Sequence, residues 1–221
     1  MIHISETLVL QTVEEFLTDD DLARLLKIMD AEQAATGWKP RFQAEVIPAP
    51  AAARDILQAA TLRALPAIRR SIPSATAAAK WAYTELGPGD EIQTHLDGIP
   101  HPERAPRRIG RIGVVVQAAE AGGEFYVETT SSPGVWSGLE VGESEGYLAG
   151  TPLTHVLEHA PDRADLHETT PEWLAGAARS RWTSHAGPGV AVAYGAQVIH
   201  GVTPVRSGRL RKFVANLCDT P

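Results

Sequence analysis

The stretch QTHLDGIP, residues 93–100, places a histidine and an aspartate two positions apart with one apolar residue between them. In an extended strand residues i and i+2 point to the same face, so His95 and Asp97 reach one point in space if this segment is a strand. Imidazole plus carboxylate suits a borderline-hard ion such as Fe(II), and a second histidine would complete a set that leaves positions open for substrates and oxygen. Taken alone the pattern is short. HPE at 101–103 repeats it and HE at 167–168 nearly does, but Pro102 makes the first a poor ladder strand.

Outward from this stretch the texture is that of a β protein. After Pro73 come KWAYTEL, EIQTHLD, RIGRIGVVVQA, EFYVETT, GVAVAYG, QVIHGVTPV and LRKFVANL, short runs rich in β-branched and aromatic residues. They are separated by the turn formers GPGD, EAGGE and AGPG. Before Pro73 the pattern is helical. Leu8 to Leu10 suit a short strand, Thr18 caps a helix carrying Leu22, Leu25, Leu26 and Met29, and a second helix spans Ala51 to Arg70, with Pro66 expected to end or kink it. Helices first and then many strands predict an α+β layout, mainly β, with a sheet-on-sheet core. We expect one domain over 1–221: helical support at 1–75, the core at 76–217, and an acidic loop and helix insertion at about 140–182.

A third ligand must come from elsewhere in the chain, and His200 is the best placed. It follows the apolar run GVAVAYGAQVI and precedes GVTPV, a turn leading into a last strand that carries Arg209 and Arg211. A dicarboxylate co-substrate would chelate the metal through one carboxylate and its oxo group and pair its far carboxylate with an arginine fork. His155 and His159 in HVLEH would share a helix face, but Val156 stands where a zinc protease carries its glutamate, so they read as surface or lid residues. Gly122, Gly123 and Glu124 read as a turn and strand start, Tyr194 as core packing, and Thr203 and Pro204 as turn formers. Trp81, Trp136, Trp173 and Tyr126 read as core aromatics.

The run GPGDEIQTHLDG…RRIGRIGVVVQAAEAGGEFYV…AGPGVAVAYGAQVIHGVTPVRSGRLRKFV resembles the iron(II)- and 2-oxoglutarate-dependent dioxygenases of the prolyl 4-hydroxylase-like branch, over about residues 78–217. HGVTPVRSG is its most specific piece. The resemblance implies a double-stranded β-helix, a jelly roll with N-terminal helices packed on one sheet, whose mouth holds iron through His95, Asp97 and His200. It implies Fe(II), 2-oxoglutarate and O2 as cofactor and co-substrates, and hydroxylation of an unactivated C–H bond with release of succinate and carbon dioxide. Relatives that halogenate replace the carboxylate ligand by a small residue, so Asp97 points to oxygenation. In many relatives the basic residue that binds 2-oxoglutarate lies ten positions after the distal histidine. Here that position is Leu210, between Arg209 and Arg211. Arg211, Phe213, Ala215 and Leu217 form the more apolar face, so the core-facing register contains the arginines, and Arg211, deeper in the strand, is the expected anchor. Leu86 stands where many relatives carry a tyrosine that contacts the co-substrate.

Composition narrows the partners. A formal charge of −7 and no long Lys/Arg block argue against nucleic acid, and RAPRRIGR at 104–111 reads as a solvated loop entering a strand. No apolar run approaches the roughly 20 residues of a membrane helix and the acidic start is unlike a secretory signal, so the expected compartment is cytoplasmic. Cys218 is alone and reads as a buried thiol. With little chain beyond the core to grip a large partner, a small molecule such as an amino acid or natural-product intermediate is the expected substrate. The alternatives are a peptidyl hydroxylase, a cupin-like enzyme without 2-oxoglutarate, and a non-catalytic metal-binding or sensing jelly roll.

Overall fold

The structure, a computed structural model, describes residues 1–40, 45–158 and 171–220. A helical turn, α1 (Ile4–Leu8), leads into β1 (Leu10–Val13), then α2 (Asp19–Thr36), β2 (Val46–Pro48) and α3 (Ala51–Ile68). The core strands follow: β3 (Ala77–Leu86), β4 (Ile92–His95), β5 (Arg108–Gln117), β6 (Ala121–Gly122) and β7 (Phe125–Thr130). A hairpin of β8 (Trp136–Val141) and β9 (Thr151–Thr154) and the short α4 (Glu172–Ala175) come next. The chain closes with β10 (Arg179–Thr183), β11 (Ala191–Gly195), β12 (Ile199–Val202), β13 (Val205–Ser207) and β14 (Leu210–Cys218).

The helices begin and end for local reasons. Thr18 accepts the Asp21 amide and Asp21 returns a bond to Thr18, three acids sit in the first turn of α2, and Gly37 closes it in the left-handed region. Helix α3 runs through Pro66 and ends two residues beyond it, so the expected break does not occur. A proline this near the end removes one hydrogen bond from a turn that is already the last. The strand expected at 8–10 begins at Leu10, because Ile4–Leu8 forms the helical turn.

Two sheets face each other. The larger has the order β1-β11-β5-β14-β3-β2 and the smaller β10-β7-β12-β4. This is the jelly roll expected, with every named pairing antiparallel. The segment between β7 and β10 runs from 131 to 178, since Arg179–Thr183 is a strand of the smaller sheet and not part of an insertion. Helices α2 and α3 cover the outer face of the larger sheet. Leu25, Met29, Ile56, Leu57 and Ile68 pack there with Trp81, Tyr83, Ile112, Val114, Phe213 and Leu217. Strands β5 and β14 are therefore covered on both faces: one set of alternate side chains meets the helices, the other the smaller sheet.

Candidate metal centre

His95 ends β4 and His200 is the second residue of β12, and the two are direct partners across that strand pair. Their ring centroids are 4.0 Å apart. Asp97 follows in the loop after β4, and the metal-ligating atoms of His95, Asp97 and His200 lie within 4.8 Å of one another. The structure thus brings together the three expected ligands, 105 positions apart at the extremes along the chain (200 − 95). Both histidines are buried.

Each imidazole is oriented by its own strand. His95 Nδ1 lies 2.9 Å from the Gln93 carbonyl and His200 Nδ1 lies 2.8 Å from the Val198 carbonyl, the same i−2 contact twice. A carbonyl only accepts, so each Nδ1 carries the proton and donates, which leaves each Nε2 with the lone pair a metal requires. Asp97 is braced from behind: Arg108 Nη2 donates to the carbonyls of Asp97 and Gly98, each at 3.0 Å. Arg111 Nε pairs with Asp97 Oδ2 at 2.8 Å. A buried carboxylate oxygen that still has a lone pair to give, beside two imidazole nitrogens, fits a divalent ion of the Fe(II) kind.

The triad opens into a cavity of about 50 Å³ lined by Thr84, Ile92, Arg111, Phe125, Tyr194, Lys212 and Val214 with both histidines. A larger cavity of about 280 Å³ continues from Lys212 and Tyr194 past Val115, Ala119 and Leu210. Tyr194 packs 4.6 Å from the His200 ring, and burial raises its phenol well above the usual range, so it stays protonated.

The two arginines expected to meet a co-substrate are elsewhere. Arg211 lies on the helix-facing side of β14, hydrogen-bonded to the Tyr83 hydroxyl and paired with Asp30 of α2 at 2.9 Å. Arg209 pairs with Glu85 at 3.0 Å, and Gln33 of α2 donates to the same carboxylate. They clamp helix to sheet. The more apolar face of β14 packs against helices, and the face carrying Lys212 and Val214 meets the metal cavity. Lys212 was missed because a strand buried on both faces has no single core side. The available signal was strand parity: Lys212 and Val214 alternate with Arg211 and Phe213, so one of the two faces had to carry a lysine inward.

The motif glycines and TPV meet one another. Val205 pairs with Gly122, the Thr203 hydroxyl bonds the Glu124 carboxylate, and the Glu124 amide donates to Thr203 at 3.0 Å. Glu124 therefore holds a turn, and that bond draws its carboxyl below the usual range. Of the HVLEH pair, His155 stacks on Trp173 at 5.1 Å outside any helix, while His159 and the HE at 167–168 lie outside the described residues.

No family model matches the sequence, and no curated protein matches it significantly. Solved structures do match in fold. A prolyl 4-hydroxylase of Pseudomonas putida superposes with a TM-score of 0.55 at 16% identity, covering 96% of this chain and 94% of that one. The viral collagen prolyl hydroxylase of Paramecium Bursaria Chlorella virus-1, in complex with 2-oxoglutarate, gives 0.52 at 14% identity over 96% of each chain. The non-heme α-ketoglutarate-dependent carbocyclase of nogalamycin biosynthesis gives 0.62 at 10% identity, over 97% and 82%. The chain has the α+β fold of the iron(II)- and 2-oxoglutarate-dependent oxygenases, with His95, Asp97 and His200 set as a two-histidine, one-aspartate facial triad.

Proposed function

We propose that this chain is an Fe(II)- and 2-oxoglutarate-dependent oxygenase that hydroxylates an unactivated C–H bond of a small molecule, such as an amino acid or natural-product intermediate. The observation that carries this is the triad itself, with both imidazoles tied through Nδ1 to backbone carbonyls and both Nε2 atoms left for a metal. His95, Asp97 and His200 would hold the iron. Lys212 would anchor the far carboxylate of the co-substrate, in place of Arg211 or Arg209, because it lines the same cavity and, among the described residues, no carboxylate is paired with it. When bound, iron and 2-oxoglutarate supply the oxidising power, and succinate and carbon dioxide leave as co-products. The protein contributes fixed ligands, a buried ammonium and the apolar walls of Phe125, Val214 and Ile92, which keep water from the reacting centre.

A small substrate is supported by the packing of Val156 and Leu157 on the ligand loop. Leu96 and Leu157 exchange two backbone hydrogen bonds, and a side chain at Gly98 would meet Val156. A peptide is the second reading, favoured by the prolyl hydroxylases among the fold relatives. Adding Fe(II) and 2-oxoglutarate without oxygen should give the weak visible charge-transfer band of the chelate. Succinate release with a metabolite pool, and not with a peptide pool, then decides between the substrates. Asp97→Ala should abolish both band and succinate. No band and no succinate from the wild type would end the reading.

A further inference from the structure

Arg111 is not accounted for by the metal site alone. Along β5, Ile112 and Val114 turn to the helices, so Arg111 projects between the sheets, with Tyr194 of β11 and Asn216 of β14 as its cross-strand neighbours. Its guanidinium stands at the triad, 2.8 Å from an Asp97 oxygen that is itself 3.9 Å from His200 Nε2. Arg108 holds the Asp97–Gly98 backbone with two directed bonds, so Arg111 is not the only brace of this loop. The Arg111 Nε is taken up by that Asp97 oxygen, while among the described residues no hydrogen bond engages the two terminal nitrogens of its guanidinium, which are donors a ligand can use.

Arg111 and Lys212 are the charged residues among those lining the triad cavity, and both are cations. They lie on adjacent strands, with Arg111 at the metal end and Lys212 opposite Val115, where it also lines the larger cavity. Asp97 offsets one of these charges, and a bound divalent ion would leave the cavity positive. Two cations at two ends of one cavity match a molecule with a carboxylate at each end, and an arginine fork suits a carboxylate better than a point charge does.

We propose that Arg111 is a second anion-binding residue of this site: it takes the carboxylate of the 2-oxo acid beside the metal, while Lys212 takes the distant one. This rests on the functional reading above and adds a specific contact to it. The test uses this chain, titrated by calorimetry first with Mn(II) and then, once saturated with Mn(II), with 2-oxoglutarate and with pyruvate, which has only the metal-side carboxylate. Arg111→Met should weaken both 2-oxo acids about tenfold or more while leaving Mn(II) affinity unchanged, and Arg111→Lys should restore part of the loss. Lys212→Met should weaken 2-oxoglutarate and spare pyruvate. If Arg111→Met weakens Mn(II) but not the 2-oxo acids at saturating metal, the residue only positions Asp97 and the proposal is overturned. It is equally overturned if Arg111→Met leaves the affinities for Mn(II) and for both 2-oxo acids unchanged. Wild-type protein that binds Mn(II) but neither 2-oxo acid would instead sink the functional reading itself.

Discussion

Arg211 and Lys212 are neighbours in β14 and face opposite sides of one sheet, so their substitutions should separate cleanly. Arg211→Met leaves the Tyr83 hydroxyl and Asp30 without their shared donor and removes a cation from beside Glu85, and should cost about 2–3 kcal/mol in urea unfolding. It should not change 2-oxoglutarate affinity. Lys212→Met should do the reverse, raising the 2-oxoglutarate requirement with little loss of stability. Burial, and then the Arg111 charge, pull the Lys212 ammonium from 10.5 down to about 8. Between those two values the unfolded chain holds a proton that the folded chain has released, so this group makes folding more favourable as pH rises through the window. Binding follows the opposite sense. The carboxylate needs the ammonium, so affinity is full below about pH 8 and falls by up to about tenfold per unit above it. Calorimetry of the Mn(II)-loaded protein across this range, in buffers of differing ionisation enthalpy, should show proton uptake on the alkaline side.

At the scale of elements, the site depends on contacts between turns as much as on strands. Gly122 has a φ of 77°, and a Cβ there would lie 2.0 Å from the Pro204 carbonyl oxygen. This close approach pairs β6 with β13 and seats the turn that follows His200. Gly122→Ala should therefore cost about 1–3 kcal/mol, and at this chain length each kcal/mol lowers the thermal midpoint by about 2–4 °C. Metal affinity should fall with it, because β12 loses its C-terminal support. The stretch from Thr154 to Leu157 is secured similarly. Gln197, buried three residues before His200, accepts the Thr154 amide at 2.6 Å and donates to Thr7 at 3.0 Å, while Leu157 pairs with the residue between the two N-terminal ligands. The covering segment and the ligand-bearing strands are thus tied by backbone bonds, which explains how a loop-rich stretch is held at the metal.

For the molecule as a whole, the metal joins strands β4 and β12 with the loop after β4, and so should act as a stabilising ligand. At a metal concentration a hundredfold above its dissociation constant the gain is about 2.7 kcal/mol. Differential scanning calorimetry should show the transition rise with Mn(II) or Zn(II), return with chelator, and stay unmoved in Asp97→Ala. The helices serve the same assembly from outside. They cover the larger sheet, and through Asp30 and Gln33 they reach the polar network of Arg211, Arg209 and Glu85. That network explains why two arginines stand near the end of a buried strand without meeting the metal.

Much of this was legible in the chain. His95 and Asp97 two apart, His200 before GVTPV, the Gly-Gly-Glu turn and the helical N-terminal third are local signals, because ligand chemistry, turn conformation and capping depend on residue type and short spacing. They were enough to give the fold class and the triad. The direction in which β14 shows its side chains was not. Hydrophobicity marks the buried face of a strand only when the other face meets water, and here helices cover one side and a second sheet the other. Which of Arg209, Arg211 and Lys212 faces the metal was decided by that stacking of layers, a long-range arrangement that no short window of sequence contains.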